Sequence, residues 1–232
     1  MKNYTKYVEN IIKRERENTV IEAAILYEQL EESVPEAAYY KVLERMAKRG
    51  DIVHITKGLY YRPRQTRLGS IPLGEQPIIE YYAGDNKGVV VGYRLYNKIG
   101  ITTQVGKNVE IISSNLRGQK KNISNVKVVS CDIMLNADTK LIIETMEVLQ
   151  NYRKIEDINK AALAKYMTGF ASNYSNEAAE AVIDNRKYKK STIALMKEFL
   201  NYHNVSNTLD KYLSSMSDYR LPKMEEFYES AQ

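Results

Sequence analysis

Apolar side chains at Tyr4, Tyr7, Val8, Ile11 and Ile12 recur at i, i+3, i+4, i+7 and i+8, so the chain opens on an amphipathic helix reaching about Arg16. After a break at Asn18, the β-branched run Thr19-Val20-Ile21 predicts a very short strand, and Ala23, Ala24, Leu26, Tyr27 and Leu30 predict a second helix over 22–31. Ser33-Val34-Pro35-Glu36 has the spacing of a capping box, with the Ser33 hydroxyl accepting from the amide of residue 36. That box predicts a third helix running to Arg49 and stopping at Gly50, a residue suited to a left-handed cap. The β-prone runs 51–56 and 59–62 flank Lys57-Gly58, a two-residue hairpin signal. The order helix, short strand, helix, turn, helix, hairpin predicts a winged helix-turn-helix over residues 1–68.

From Gln65 to Pro77 the pattern dissolves into Gly69, Ser70, Pro72, Gly74 and Pro77, which reads as a linker. Residues 78–137 are then mixed α/β. Ile78–Tyr82 reads as a short helix or strand, Gly88–Gly92 as a buried strand, and Tyr93–Ile99 as a short helix ended by Gly100. Asn108–Ser113 and Asn125–Cys131 are two further strands joined by a polar loop with Arg117, Gly118, Lys120 and Lys121. Over 138–232 the period turns helical, with helices expected at 139–151, 155–168, 176–188, 191–203 and 205–215. The fold class expected is α+β: a winged helix-turn-helix, then a second domain over 78–232 that ends in a helical bundle.

Length and composition narrow the function classes. With 232 residues and 44% apolar content the chain buries a real core and is not a disordered segment. A single cysteine, Cys131, excludes an internal disulfide framework, and His54 and His203 are too far apart in sequence to suggest a metal-ligand motif. The amino-terminal stretch scatters charges where a leader peptide needs an apolar run, and no apolar run is long enough to span a bilayer. A reducing, cytoplasmic setting with no membrane partner is expected. The net charge of +5 is mild, but its distribution is informative. Residues 35–67 carry 8 Lys/Arg and 3 Asp/Glu, a net of +5, so this short segment holds as much net charge as the whole chain. That concentration is the expected footprint of a phosphate-binding surface.

On the third helix Tyr39, Val42, Leu43, Met46 and Ala47 form the apolar stripe, which leaves Ala37, Tyr40, Lys41, Glu44, Arg45 and Lys48 facing outward. In helix-turn-helix proteins that outward face enters the major groove. Arg45 suits bidentate bonding to guanine, Lys41 guanine or phosphate, Tyr40 a phosphate or a thymine methyl, and Lys48 the backbone. The hairpin adds Lys57 at its tip, with Arg62, Arg64 and Arg67 on its return, placed for the adjacent minor groove or its phosphates. These eight residues are the candidate DNA contacts. The partner expected is double-stranded DNA.

The run Met46-Ala47-Lys48-Arg49-Gly50-Asp51-Ile52-Val53-His54-Ile55-Thr56-Lys57-Gly58-Leu59-Tyr60-Tyr61 resembles the end of the recognition helix and the wing of AbiEi-type antitoxins. Gly92-Tyr93-Arg94-Leu95-Tyr96-Asn97-Lys98-Ile99-Gly100-Ile101-Thr102-Thr103-Gln104-Val105, followed by Val109-Glu110-Ile111-Ile112, is similar to that family's helix, glycine, Thr-x-Gln and strand pattern. The second motif is the more diagnostic, because wings of this kind are widespread. The resemblance covers about residues 1–130; beyond about 140 only a helical character is shared. It implies a type IV toxin-antitoxin component that represses its own operon at inverted repeats. It also implies that the remainder of the chain neutralises a nucleotidyltransferase-like toxin, often without a stable complex.

Catalytic chemistry finds little footing. No Asp-x-Asp or Asp-x-Glu follows a Gly-Ser turn, as a nucleotidyltransferase would need for Mg²⁺. Gly84-Asp85-Asn86-Lys87-Gly88 resembles a phosphate loop in composition only, since it lacks the Gly-Lys-Ser/Thr ending. His54, His203 and Cys131 read as structural, and no catalytic residue, metal or cofactor is expected. The 19 tyrosines, beside 3 Phe and no Trp, are expected at core margins. Arg186, Lys187, Lys189 and Lys190 offer a solvated helix junction or a second contact to DNA or toxin. The rival to a DNA-binding antitoxin is a protein-interaction module whose winged helix and helical tail dock a partner.

Overall fold

The computed structural model describes residues 4–228; residues 1–3 and 229–232, the outer ends of the two expected domains, lie outside the described residues. The chain is α+β and divides into two compact units, Met1–Tyr81 and Tyr82–Gln232.

In the first unit, α1 (Tyr4–Ile12) precedes β1 (Val20–Glu22), α2 (Ala23–Glu28), α3 (Glu36–Arg49), β2 (Val53–Thr56) and β3 (Leu59–Tyr61). The strands form an antiparallel sheet in the order β1-β3-β2, with Val20 opposite Tyr61 and Val53 opposite the same residue on the other edge. Val8 and Ile12 of α1, Leu26 of α2, and Tyr39, Val42, Leu43 and Met46 of α3 share one core with Ile21, Val34 and Ile52. Each fully buried apolar side chain of this size stabilises by about 1.5–3 kcal/mol.

The capping expectation at Ser33 is not met: α3 starts at Glu36 on Pro35, and no side chain caps it. Steric conflict with the proline ring disfavours helical dihedrals at Val34, and Val34 is buried, so the helix begins after the proline. The other end matches its signal. Gly50 has φ +79°, its amide donates to the Ala47 carbonyl at 3.1 Å, and the Asp51 amide donates to the Met46 carbonyl at 3.0 Å. That pair of bonds is a Schellman cap.

The segment read as a linker is ordered. β4 (Gln65–Thr66) and β5 (Gly69–Ser70) pair antiparallel as a tiny ribbon, and α4 (Glu75–Ala83) follows. The Thr66 hydroxyl donates to the Gly69 carbonyl at 2.7 Å, and Gly69 at φ +116° permits the reversal.

The second unit holds β6 (Gly88–Val91), α5 (Tyr93–Lys98), β7 (Val109–Ser113), β8 (Lys120–Ile123) and β9 (Val126–Ser130). Their sheet runs β6-β7-β9-β8, with β7 and β9 parallel and both outer pairs antiparallel. β8 lies within the stretch expected to be a polar loop. As an edge strand with Lys120, Lys121 and Asn122 it carries little apolar signal, and backbone pairing to β9 makes it a strand.

The helical end comprises α6 (Ala137–Asn151), α7 (Lys160–Ser172), α8 (Asn176–Asn185), α9 (Lys190–Tyr202) and a short α10 (Glu225–Tyr228). Ile142, Ile143, Met146, Val148 and Leu149 of α6 are buried in the core that Met167, Val182 and Phe199 also join. α7 begins five residues later than expected because Asn159 caps it, its side chain accepting from the Ala162 amide at 3.0 Å. The helix expected over 205–215 is reduced to one 3-10 turn at Leu209–Tyr212. The Asn207 side chain donates to the Val205 carbonyl and accepts from the Leu209 amide, local bonds that compete with helix, while the Thr208 hydroxyl is drawn to Asn176 on α8. Among the described residues no helix is long and apolar enough to cross a membrane.

Candidate nucleic-acid interface

The candidate surface rests on α3. Tyr39, Val42, Leu43 and Met46 are buried. The Tyr39 hydroxyl donates to the Ala23 carbonyl at 2.9 Å, which fixes α3 against the start of α2. Burial pushes that hydroxyl far above the usual tyrosine range, so it stays a neutral donor. At the far end Arg49 reaches Glu9 on α1 at 2.6 Å and Asp51 at 2.7 Å. Arg49 therefore ties the helix to its neighbours.

The opposite side of α3 is exposed and carries Ala37, Tyr40, Lys41, Glu44, Arg45 and Lys48. Lys48 pairs with Glu44 at 2.6 Å, and that bond lowers the Glu44 carboxyl below its ordinary value. Both side chains are more than half exposed, so the pair constrains little and releases Lys48 easily. Arg45 lies back along its helix, donating from Nε to the Lys41 carbonyl and from Nη2 to the Thr5 hydroxyl, each at 3.2 Å. Tyr40 stands edge-on to Tyr39 with ring centroids 5.2 Å apart, which orients it on the rim of the face.

The hairpin follows the same logic. Only Gly58 of the two turn residues has a positive φ, +77°, and a register shift between His54 and Thr56 accompanies the turn. Lys57 is consequently exposed at the tip. Tyr60 on β3 packs against the core that the buried side of α3 helps to build; burial, and secondarily Tyr40, raises its hydroxyl above the usual tyrosine range. The hairpin and α3 thus share one core within the unit.

Of the eight sequence-predicted contacts, Tyr40, Lys41, Arg45 and Lys48 share the α3 face, Lys57 marks the hairpin tip, and Arg64 and Arg67 are exposed on the ribbon segment. Arg62 is placed otherwise. Its Nη1 donates to the carbonyls of Lys13, at 2.7 Å, and of Glu15, and its Nη2 lies 3.7 Å from Glu17. With its donors turned to the segment that leaves α1, Arg62 satisfies carbonyls of the turn just beyond that helix. The backbone path explains this: the Asn18 amide donates to the Arg62 carbonyl at 2.8 Å and the Asn18 side chain accepts from the Arg64 amide at 3.2 Å. Together they hold residues 62–64 against the α1 exit. Sequence reasoning passed over Leu68, whose side chain is entirely exposed beside Arg67 at the ribbon tip; Gly69 was the signal available.

Elsewhere, Arg186 is packed inside the second unit, 3.5 Å from Glu147 and 3.2 Å from the Tyr188 hydroxyl, whereas Lys187, Lys189 and Lys190 are exposed. Burial raises the Glu147 carboxyl, with Arg186 opposing. His203 bonds the Tyr228 hydroxyl at 2.6 Å, and His54 stacks edge-on to Tyr60 at 5.1 Å. Among the described residues no group of three or more His, Cys, Asp and Glu could hold a metal ion.

No family model matches the chain, and no curated protein matches it. Among solved structures, the crystal structure of the RV2827C protein from Mycobacterium tuberculosis is similar at 14% identity, over 87% of this chain and 77% of that one, with a TM-score of 0.44. A likeness of that size is too slight to carry an argument about fold or function.

Proposed function

We propose that the first unit is a winged helix-turn-helix and that the chain is a sequence-specific DNA-binding antitoxin of the AbiEi type, with no catalytic step of its own. The observation that carries this reading is α3 itself: four residues of one side are sealed in a core while Tyr40, Lys41, Arg45 and Lys48 stand together on the other. In this reading α3 enters the major groove, Arg45 and Lys41 leave their weak surface bonds for base edges and phosphates, and Lys57 meets the flanking backbone. The resemblance extends it to repression of the chain's own operon at inverted repeats and to neutralisation of a nucleotidyltransferase-like toxin. One unit reads only a few base pairs, so two copies act on each repeat pair.

With Arg62 engaged at α1, six cations remain for phosphates or base edges: Lys41, Arg45, Lys48, Lys57, Arg64 and Arg67. If all six neutralise phosphates, affinity falls with salt at a log-log slope of about −5. The test is a mobility-shift titration of the full chain against the DNA upstream of its own gene. Lys41→Ala with Arg45→Ala is expected to abolish the specific shift while circular dichroism stays unchanged. A double variant that still retards this DNA normally overturns the assignment, and a wild-type chain that retards no DNA yet neutralises its toxin is a protein-docking module instead.

A further inference from the structure

The ribbon of β4 and β5 adds nothing to a core: every residue from Arg64 to Pro72 is exposed. Hydrogen bonds nevertheless hold its shape. Thr66 pairs with Gly69, which leaves Arg67 and Leu68 as the two loop residues. The Thr66 hydroxyl donates to the Gly69 carbonyl at 2.7 Å and accepts from the Leu68 amide at 3.3 Å, and the Ile71 amide donates to the Arg64 carbonyl at 2.9 Å. Two-residue hairpin loops favour Asn, Asp and Gly, so turn chemistry selects neither Arg67 nor Leu68. Leu68 is 101% exposed and gains nothing from the fold that carries it. A lone exposed leucine is ordinary on a protein surface, but one fixed at a ribbon tip where the turn favours another residue breaks a local rule. Its surroundings show what the tip suits. Residues 52–74 carry Lys57, Arg62, Arg64 and Arg67 and no Asp or Glu, and no carboxylate among the described residues pairs with Arg64 or Arg67. A cationic tip with an apolar point matches the DNA minor groove, which has phosphates along its rims and sugar faces and base edges within.

We propose that the ribbon tip is a minor-groove contact with an apolar component. Leu68 packs onto sugar faces and base edges inside the groove, Arg67 follows the groove wall, and Arg64 meets a phosphate on its rim. This inference rests on the DNA-binding reading above and adds to it a contact whose strength does not depend on salt. Hydroxyl radicals take hydrogens from the sugars that line the minor groove, so footprinting of the full chain on its upstream DNA reads the contact. A protected minor-groove patch is expected beside each half-site. Arg67→Ala with Leu68→Ala is expected to remove that patch while protection of major-groove guanines from dimethyl sulfate persists. Leu68→Ala alone is expected to weaken binding about tenfold at every salt concentration with the log-log slope unchanged, and Leu68→Met to preserve binding. Arg67→Ala is expected to lower the slope by about 0.9. Wild-type affinity with an unaltered footprint in the double variant overturns this proposal alone. If Leu68→Ala instead dissociates a dimer in sedimentation, the tip is a contact between copies, and the proposal falls equally. A wild-type chain that retards no DNA overturns the DNA-binding reading and this inference together.

Discussion

Replacing Arg62 by alanine separates structural from DNA-binding cations. The guanidinium spans the carbonyls of Lys13 and Glu15 and approaches Glu17, with the side chain 21% exposed. Hydrogen bonds to a charged group contribute about 1.5–3 kcal/mol each when the partner is otherwise unsatisfied. The carbonyls at the α1 exit can turn to water, so the two bonds together contribute about 1–3 kcal/mol rather than their full sum. Hydrogen exchange read by mass spectrometry on the intact protein localises the loss. Protection over residues 4–22 and 53–62 is expected to fall by roughly five- to 150-fold, with the second unit unaffected. Arg62→Lys keeps the charge but cannot bridge two carbonyls, so it recovers only part of the protection. Removing a true phosphate contact lowers the salt slope by about 0.9, and this change is expected for Lys57→Ala and not for Arg62→Ala. Unchanged protection together with a reduced slope in Arg62→Ala would refute the reasoning.

Two further outcomes follow from single positions. A Cβ on Gly58 meets no atom within 4 Å, so Gly58→Ala costs only the left-handed backbone penalty at φ +77°, about 1–2 kcal/mol, read as a lower urea midpoint for the first unit; an unchanged or raised midpoint contradicts the turn. Cys131 is buried and burial pushes its thiol above the usual range, so the reactive thiolate is scarce at neutral pH and grows only as pH rises towards the shifted value. A thiol reagent is expected to label it at least about a hundredfold more slowly in the native protein than in urea, and prompt native labelling would show the site to be open.

The sequence was most legible where periodicity, cap and turn chemistry agree. The stripe on α3, the Gly50 cap and the Lys57-Gly58 hairpin emerge with nearly the boundaries the pattern predicts. Elements defined by their neighbours were hidden: β8 needs β9, and the ribbon over 65–70 shows itself only through Gly69 and two hydroxyl bonds. Pro35 displaced the expected capping box because a proline restricts the residue before it, an effect that competed with the Ser-x-x-Glu spacing. Arg62 could not be told from Arg64 by spacing, since only the pairing of Asn18 with the returning chain turns one inward and leaves the other exposed.

Methylation protection of guanine N7 asks whether α3 occupies the major groove, because dimethyl sulfate reaches that atom only from there. With the full chain bound to its upstream DNA, guanines in each half-site are expected to be shielded, and Arg45→Ala to expose at least one of them. A bound complex in which every guanine N7 stays as reactive as in free DNA would contradict the account.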